Sequence, residues 1–251
     1  MRTYYLLLIV LFSCLASANE EIPSLEINEI SKGVFLHKSY SLVDGWGLVS
    51  SNGLVVVNNR KAFIVDTPWS EQDTEKLVNW IRLRNYRLLG SISTHSHEDR
   101  TAGIRWLNGQ SIATYATELT NSILLEEGKE QAKHSLKGND VELANGLLEV
   151  FYPGGGHTID NVVVWLPRSN ILFGGCFVRS LESKGLGYTG EAHIDQWAIS
   201  AENTISKYPK AKTVIPGHGE IGNIELLKHT KFLAEKASNK SIQPTAEASA
   251  D

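Results

Sequence analysis

Four short apolar stretches of this sequence each run into a turn that carries a metal-binding type of side chain, and this repetition constrains the fold most. The stretches are Leu88 to Ser93, Leu147 to Tyr152, Ile171 to Phe173 and Thr213 to Ile215. Their length and apolar character predict buried strands. Binding residues commonly lie on loops that a rigid scaffold positions, so the strand ends are the candidate functional region.

The first turn is Thr94-His95-Ser96-His97-Glu98-Asp99, in which two imidazoles and a carboxylate occupy alternate positions. A lone histidine is more often an ordinary core or surface residue than a ligand. Three residues of ligand type within five positions at the end of a strand instead favour a metal site, formed by His95, His97 and Asp99.

The other three turns are rich in glycine, which lets the backbone bring a short side chain close to a shared centre. They place His157 after Pro153-Gly154-Gly155-Gly156, Cys176 after Phe173-Gly174-Gly175, and His218 within Pro216-Gly217-His218-Gly219. Any one of them alone is explained by a tight turn that happens to hold a polar residue. The remaining histidines lack this setting and are interpreted as ordinary: His37, His134, His193 and His229.

Six ligand-type side chains are too many for one tetrahedral zinc with an open position, but they fit two ions. The predicted division assigns His95, His97 and His157 to one zinc. It assigns Asp99, Cys176 and His218 to the second. The division also accounts for Cys176, the only cysteine outside residues 1–18, because zinc keeps a bound thiolate ionised. The plainer alternative for Cys176 is a small buried hydrophobe.

The order of elements predicts an α+β fold. Antiparallel strands are expected from Leu25 to Val57, with turns at Asp44-Gly45 and Asn52-Gly53. Further strands are expected at Ala62 to Val65 and Val162 to Leu166, and helices at Ser70 to Arg84, Thr117 to Glu127, Asp195 to Lys207 and Ile224 to Ala237. Each half has strands and then helices, which favours two stacked sheets with helices outside.

The two ends of the chain differ from the rest. Residues 1–18 combine Arg2, a short apolar run and a small-residue cleavage site, which predicts an export signal. The run is shorter than the roughly 20 residues that span a bilayer, so no stable membrane span is expected. Lipid attachment at Cys14 is the minor alternative. One domain is expected over residues 19–237, followed by a disordered tail over 238–251.

Charge excludes one class of partner. The formal net charge is -4, and the sequence has no run of lysine or arginine. Binding of nucleic acid is therefore not expected.

The motifs around the six side chains resemble those of the metallo-β-lactamase superfamily, and specifically the first subclass of class B β-lactamases, near the IMP and GIM types. The likeness extends to Ile64-Val65-Asp66-Thr67-Pro68-Trp69 and to the segment from Asn161 to Pro167. Other hydrolases of the superfamily share the H-x-H-x-D motif, but they usually have a second metal-binding histidine directly after the aspartate. Here Arg100 follows Asp99, which favours the lactamase branch.

The resemblance implies an αββα sandwich with two Zn²⁺ in a groove between the sheets. It implies a periplasmic, monomeric β-lactamase that confers resistance by hydrolysing penicillins, cephalosporins and carbapenems, with a zinc-bound hydroxide as the nucleophile. Asp99 would anchor one ion and orient that nucleophile. The alternatives are a thioesterase or lactonase of the same superfamily and a non-catalytic zinc-binding protein.

The resemblance also implies three substrate-binding residues. Arg179 lies where the family has a cation for the substrate carboxylate, and Trp46 lies in a hairpin that resembles the mobile flap over the groove. Tyr188 departs from the pattern, because many relatives have an asparagine there. The plainer alternatives are a solvated surface residue for Arg179 and a core tryptophan for Trp46.

Overall fold

Two β-sheets lie face to face in the computed structural model, which describes residues 22–242, with side chains to residue 239. The strands of the first sheet, in spatial order, are β1 (Glu26–Ser31), β2 (Val34–Val43), β3 (Gly47–Asn58), β4 (Lys61–Val65), β5 (Arg87–Ile92), β6 (Thr114–Thr117) and β7 (His134–Leu136). The first four strands pair antiparallel, and the pairs from β4 to β7 are parallel.

The second sheet has five strands in the order β12-β11-β10-β9-β8. They are β8 (Asp140–Leu143), β9 (Leu148–Phe151), β10 (Val163–Leu166), β11 (Ile171–Gly175) and β12 (Thr213–Pro216). Only β11 and β12 pair in parallel. The helices are α1 (Glu71–Leu83), α2 (Glu98–Thr101), α3 (Ile104–Gly109), α4 (Glu118–Glu126), α5 (Ile194–Lys207) and α6 (Glu225–Ile242).

The core has three layers because side chains alternate across each strand. Leu54 and Val56 of β3 point into the cluster between the sheets, which also holds Val164 of β10. Val55, between them in sequence, packs on the outer face against α1 and α3. The outer face of the second sheet is covered by α5 and α6, with Trp197 fully buried there. The predicted αββα sandwich is therefore confirmed.

Local sequence explains the first helix. Ser70 has extended backbone angles, and its side chain accepts a hydrogen bond from the backbone N–H of Asp73, 3.1 Å away. This satisfies one of the free N–H groups at the helix start. Leu77 and Ile81, one turn apart, are buried against the sheet. The helix predicted from Ser70 to Arg84 is confirmed.

One of the two predicted turns is wrong. The turn at Asp44-Gly45 does join β2 to β3, but Asn52-Gly53 lies inside β3, where Gly53 pairs with His37 across the ladder. The glycine serves close packing instead of a turn: a Cβ at Gly53 would lie 2.3 Å from the Cε1 atom of the His37 ring. Gly in a strand often marks such a close approach.

The predicted end of the folded domain is also wrong. Helix α6 continues to Ile242, whereas the sequence pattern predicted its end at Ala237 and a tail from residue 238. Residues 238–242 therefore belong to the helix. The predicted export signal, Cys14 and the rest of the tail lie outside the described residues. Among the helices of the described part, none is both long and apolar enough to cross a membrane.

Candidate metal centre

Three imidazoles meet where β5 and β9 end. His95 follows β5, His97 is the residue before α2, and His157 lies in the loop after β9. Their ring centroids are 4.7, 5.0 and 4.9 Å apart, so they form a nearly equilateral triangle. One nitrogen of each ring lies within 4.8 Å of the others. The three side chains thus offer an arrangement that can hold a metal ion.

A second cluster adjoins the first. Asp99 lies in α2, Cys176 directly follows β11, and His218 lies in the loop after β12. The Sγ atom of Cys176 is 3.3 Å from Oδ2 of Asp99 and 3.2 Å from Nε2 of His218. The Asp99 and His218 atoms are themselves 3.3 Å apart. One ligand atom of His95 also lies within 4.8 Å of ligand atoms of Asp99 and Cys176, so His95 borders both clusters.

The first cluster suits a cation. Burial, together with the neighbouring imidazoles, holds the pKa of His95 well below its usual range and lowers the pKa of His157 to about 3. The rings of His95 and His157 are therefore neutral, as metal ligands must be. The buried Nε2 of His95 has no hydrogen-bond partner among the described residues. Because a buried polar atom without a partner is costly, a zinc ion fits this position.

The second cluster combines charges of both signs. Burial alone would raise the pKa of Asp99, yet Arg100 and His218 hold it well below its usual range, so the carboxylate is ionised. Burial opposes a charge on His218, but the Cys176 sulfur and Asp99 raise its pKa to about 10. At neutral pH the imidazole of His218 therefore carries a proton, beside the carboxylate of Asp99. Carboxylate, thiolate and imidazole are all zinc ligands.

Arg100 is a buried cation that joins the second cluster to the first sheet. Its Nη2 atom lies 2.9 Å from the Cys176 sulfur and 2.8 Å from Oδ2 of Asp99. Its Nη1 atom donates to the carbonyl oxygen of Asn52 at 2.6 Å and lies 3.3 Å from Oδ2 of Asp66. The sequence pattern predicted none of these contacts of Arg100. The only local signal was a charged residue directly after a candidate ligand, and its burial is known from the structure.

Two further carboxylates hold the ligand-bearing turns. Asp66 accepts hydrogen bonds from the backbone N–H of Thr94 at 2.7 Å and from its hydroxyl at 2.8 Å, directly before His95. Oε2 of Glu191 lies 2.9 Å from Nε2 of His97. Such partners orient a ligating imidazole and select its tautomer. Neither residue was predicted, because both are distant in sequence from the turns that they hold.

A cavity of about 580 Å³ opens beside the clusters. Five of the six ligand-type side chains line it, all except His95, as do Trp46, Arg179 and Tyr188. Trp46 is 58% exposed, so the alternative of a core tryptophan is excluded. The Tyr188 ring lies 5.9 Å from that of His97. Arg179 is partly buried and burial lowers its pKa, unlike a solvated surface arginine.

The other four histidines belong to neither cluster of the described residues. His134 stacks on Tyr115, and Nε2 of His229 lies 2.9 Å from the carbonyl oxygen of Ser183. His193 precedes α5 without a side-chain cap. His37 is buried, and its Nε2 atom lies 3.0 Å from the backbone oxygen of Asp66.

Known proteins resemble the chain in sequence and in fold. The profile of the metallo-beta-lactamase superfamily matches residues 46–218. A metallo-beta-lactamase type 2 of Pseudomonas aeruginosa is 47% identical over 96% of this chain and 97% of its own length. The corresponding protein of Bacteroides fragilis is 32% identical over 97% of this chain and all of its own length.

Solved structures agree. The structure of TMB-1 is 74% identical, has a TM-score of 0.86, and is matched over 87% of this chain and all of that one. A structure of DIM-1 metallo-beta-lactamase exposed to ceftazidime is 69% identical, with the same TM-score and coverage. Together with the profile match, these similarities show that the chain belongs to the metallo-beta-lactamase superfamily.

Proposed function

We propose that this protein is a zinc-dependent β-lactamase that hydrolyses the β-lactam amide of penicillins, cephalosporins and carbapenems and so confers resistance. The observation that carries the proposal is the pair of adjoining ligand clusters at the wall of one cavity. The relatives named metallo-beta-lactamase support the same activity. Their coverage of nearly the whole chain supports its transfer.

His95, His97 and His157 would hold one zinc ion, and Asp99, Cys176 and His218 would hold a second. When bound, zinc supplies a hydroxide nucleophile at neutral pH, because it lowers the pKa of water to about 7. The distances within each cluster and the neutral state of His95 and His157 support this assignment. A storage site would close its ligand shell, whereas five of these six side chains line an open cavity.

The side chains around the clusters bind and orient the substrate. Arg179 lines the cavity, and its Nε atom has no hydrogen-bond partner in the part of the chain that the structure describes, so its guanidinium can bind a substrate carboxylate. Asp99 presents an ionised carboxylate at the cavity wall, where it orients the attacking group. Tyr188 and the exposed Trp46 offer aromatic surfaces to the substrate side chains.

The cellular context follows from the sequence. The signal-like residues 1–18 support export to the periplasm, with anchoring at Cys14 as the minor alternative. Cys176 is the only cysteine outside residues 1–18 and is free in the described part of the chain, and a bound zinc ion would shield its thiol from oxidation after export. We propose a monomer whose partners are its β-lactam substrates.

The test uses the purified chain with a carbapenem and nitrocefin, before and after EDTA, and again after zinc is restored. We expect hydrolysis of both, its loss in EDTA and its return with zinc, together with two zinc ions per chain by metal analysis. Thioester and lactone substrates serve as controls for the alternative activities. Hydrolysis of those substrates without β-lactam hydrolysis would overturn the proposal, and so would full activity of metal-free protein.

A further inference from the structure

His37 lies on β2, fully buried, and touches none of the six ligand-type side chains. Its Nε2 atom lies 3.0 Å from the backbone oxygen of Asp66. Burial lowers the pKa of His37 to about 3, so the ring is neutral and carries one proton. Because Nδ1 has no partner among the described residues, the proton resides on Nε2, which donates to Asp66.

The His37 ring occupies the space where a side chain at position 53 would otherwise lie. Gly53 lies opposite His37 in the ladder of β2 and β3, and a Cβ there would lie 2.3 Å from Nε2 of His37 and 2.9 Å from the Asp66 oxygen. Only glycine admits the imidazole between β3 and Asp66. The space beside Gly53 is therefore specific for the His37 ring, which donates to Asp66.

Asp66 has a backbone conformation that needs such support. Its φ is +58°, in the left-handed region that residues other than glycine rarely adopt. Its N–H donates to the Ile92 oxygen at 2.8 Å, and its carbonyl oxygen accepts from His37. Both sides of the residue are thus held, which directs the carboxylate at Thr94 and Arg100.

From Asp66 the contacts lead to the metal centre. Thr94 precedes His95 in the chain, and its backbone N–H and hydroxyl are both bound by Asp66. Arg100 follows Asp99 and lies within 2.9 Å of the Cys176 sulfur. A shift of the Asp66 carboxylate would release one side of the Arg100 guanidinium, which has the Cys176 sulfur on its other side.

We propose that His37 is a positioning residue of the metal centre, which sets the Asp66 carboxylate and, through Arg100, the cluster of Asp99, Cys176 and His218. The inference rests on the proposed function in so far as these residues hold zinc. It assigns His37 no contact with the substrate. It predicts a larger effect on the ion at Cys176 than on the ion held by the three histidines.

The test compares three variants in the full chain. His37→Leu removes the donor and keeps an apolar side chain, whereas His37→Gln offers an amide N–H in the place of Nε2. Thr114→Val is the matched control: Thr114 is also buried and hydrogen-bonded, but its hydroxyl contacts Asn108 and Lys133. The readouts are zinc affinity by chelator competition and the thiolate-to-cobalt absorption of the Co²⁺-loaded protein.

We expect His37→Leu to lower the affinity for the zinc ion at Cys176 about 10-fold or more and to alter the thiolate-to-cobalt absorption band. His37→Gln should recover most of the affinity, and Thr114→Val should leave both readouts unchanged. If His37→Leu does not fold, His37→Asn replaces it, because its amide nitrogen takes the place of Nδ1. Metal binding is measured apart from hydrolysis, so a protein that binds zinc but hydrolyses no β-lactam refutes only the proposed function.

Unchanged affinity and an unchanged cobalt band in His37→Leu would overturn the inference. Equal losses in His37→Leu, His37→Gln and Thr114→Val would also overturn it, because the effect would then be one of packing. An equal weakening of both ions in His37→Leu would contradict the route through Arg100.

Discussion

The guanidinium of Arg100 lies 2.9 Å from the sulfur of Cys176, with both side chains buried. Burial alone would lower the pKa of Arg100, but Asp99, Cys176 and Asp66 raise it above its usual value, so the cation persists. The Cys176 sulfur therefore has a fixed positive neighbour before any metal binds.

The first prediction concerns stability. Arg100→Met leaves the carboxylates of Asp66 and Asp99 buried without their cation, so it should lower the free energy of unfolding of the metal-free protein by about 3–5 kcal/mol. Arg100→Lys keeps the charge but loses the planar guanidinium, so it should recover only part of the lost free energy of unfolding. Urea unfolding in EDTA measures both. A loss below about 1 kcal/mol in Arg100→Met would mean that the network contributes little.

The second prediction separates the two ions. Cys176→Ala removes a ligand from the second cluster and none from the first, so one zinc ion should be lost while the ion at His95, His97 and His157 remains. His134→Ala is the control, because its ring stacks on Tyr115 away from both clusters. Metal analysis after dialysis measures the number of zinc ions bound per chain. Two ions retained at wild-type affinity would refute the division of ligands.

The third prediction concerns Arg179. Arg179→Ala should raise KM more than it lowers kcat for substrates whose carboxylate adjoins the lactam, since the ion pair acts in ground and transition states alike. Arg179→Lys keeps the charge and should have the smaller effect. Steady-state kinetics with a penicillin and a carbapenem test this. Unchanged KM values for Arg179→Ala would exclude a role in carboxylate binding.

The fourth prediction concerns Tyr188, which is 49% exposed beside His97. Loss of a dedicated oxyanion donor costs about 10²- to 10³-fold in kcat, but zinc would already stabilise that oxygen. Tyr188→Phe should therefore cost less than about 10-fold in kcat. Tyr188→Ala should mainly change the relative KM of substrates with bulky side chains. A loss near 100-fold in Tyr188→Phe, with zinc content intact, would show that the hydroxyl acts in catalysis.

The fifth prediction concerns pH. The pKa of His37 falls from 6.5 in its ordinary environment to about 3 in the folded protein. The unfolded chain therefore binds this proton first, and His37 lowers stability as the pH falls below its ordinary pKa, by up to about 1.4 kcal/mol per pH unit. His37→Gln lacks the proton site, so its stability should depend less steeply on pH. Urea unfolding in EDTA at several pH values measures the slopes, and parallel curves would contradict the assignment.

Much of the centre was predictable because its signals are local. The six ligand-type side chains lie on turns directly after apolar strands, and the structure brings all six together. Helix α1 was predicted from the cap at Ser70 and the apolar spacing of Leu77 and Ile81. Elements such as α2, α3, β7 and β8 were missed, because three to six residues are too few to show a period.

The sequence by itself determined which residues are the candidates for metal binding, since ligand type, glycine-rich turns and strand ends can all be read within a few neighbouring positions. Tertiary structure alone decided what holds those residues in place. Arg100 meets Asn52 and Cys176, which are 48 and 76 positions away, and His37 meets Asp66, 29 positions away. Asn52-Gly53 has the local pattern of a turn, but the glycine is needed in a strand because a distant imidazole fills its side-chain space. Contacts between distant residues depend on the packing of the two sheets, and no local pattern records them.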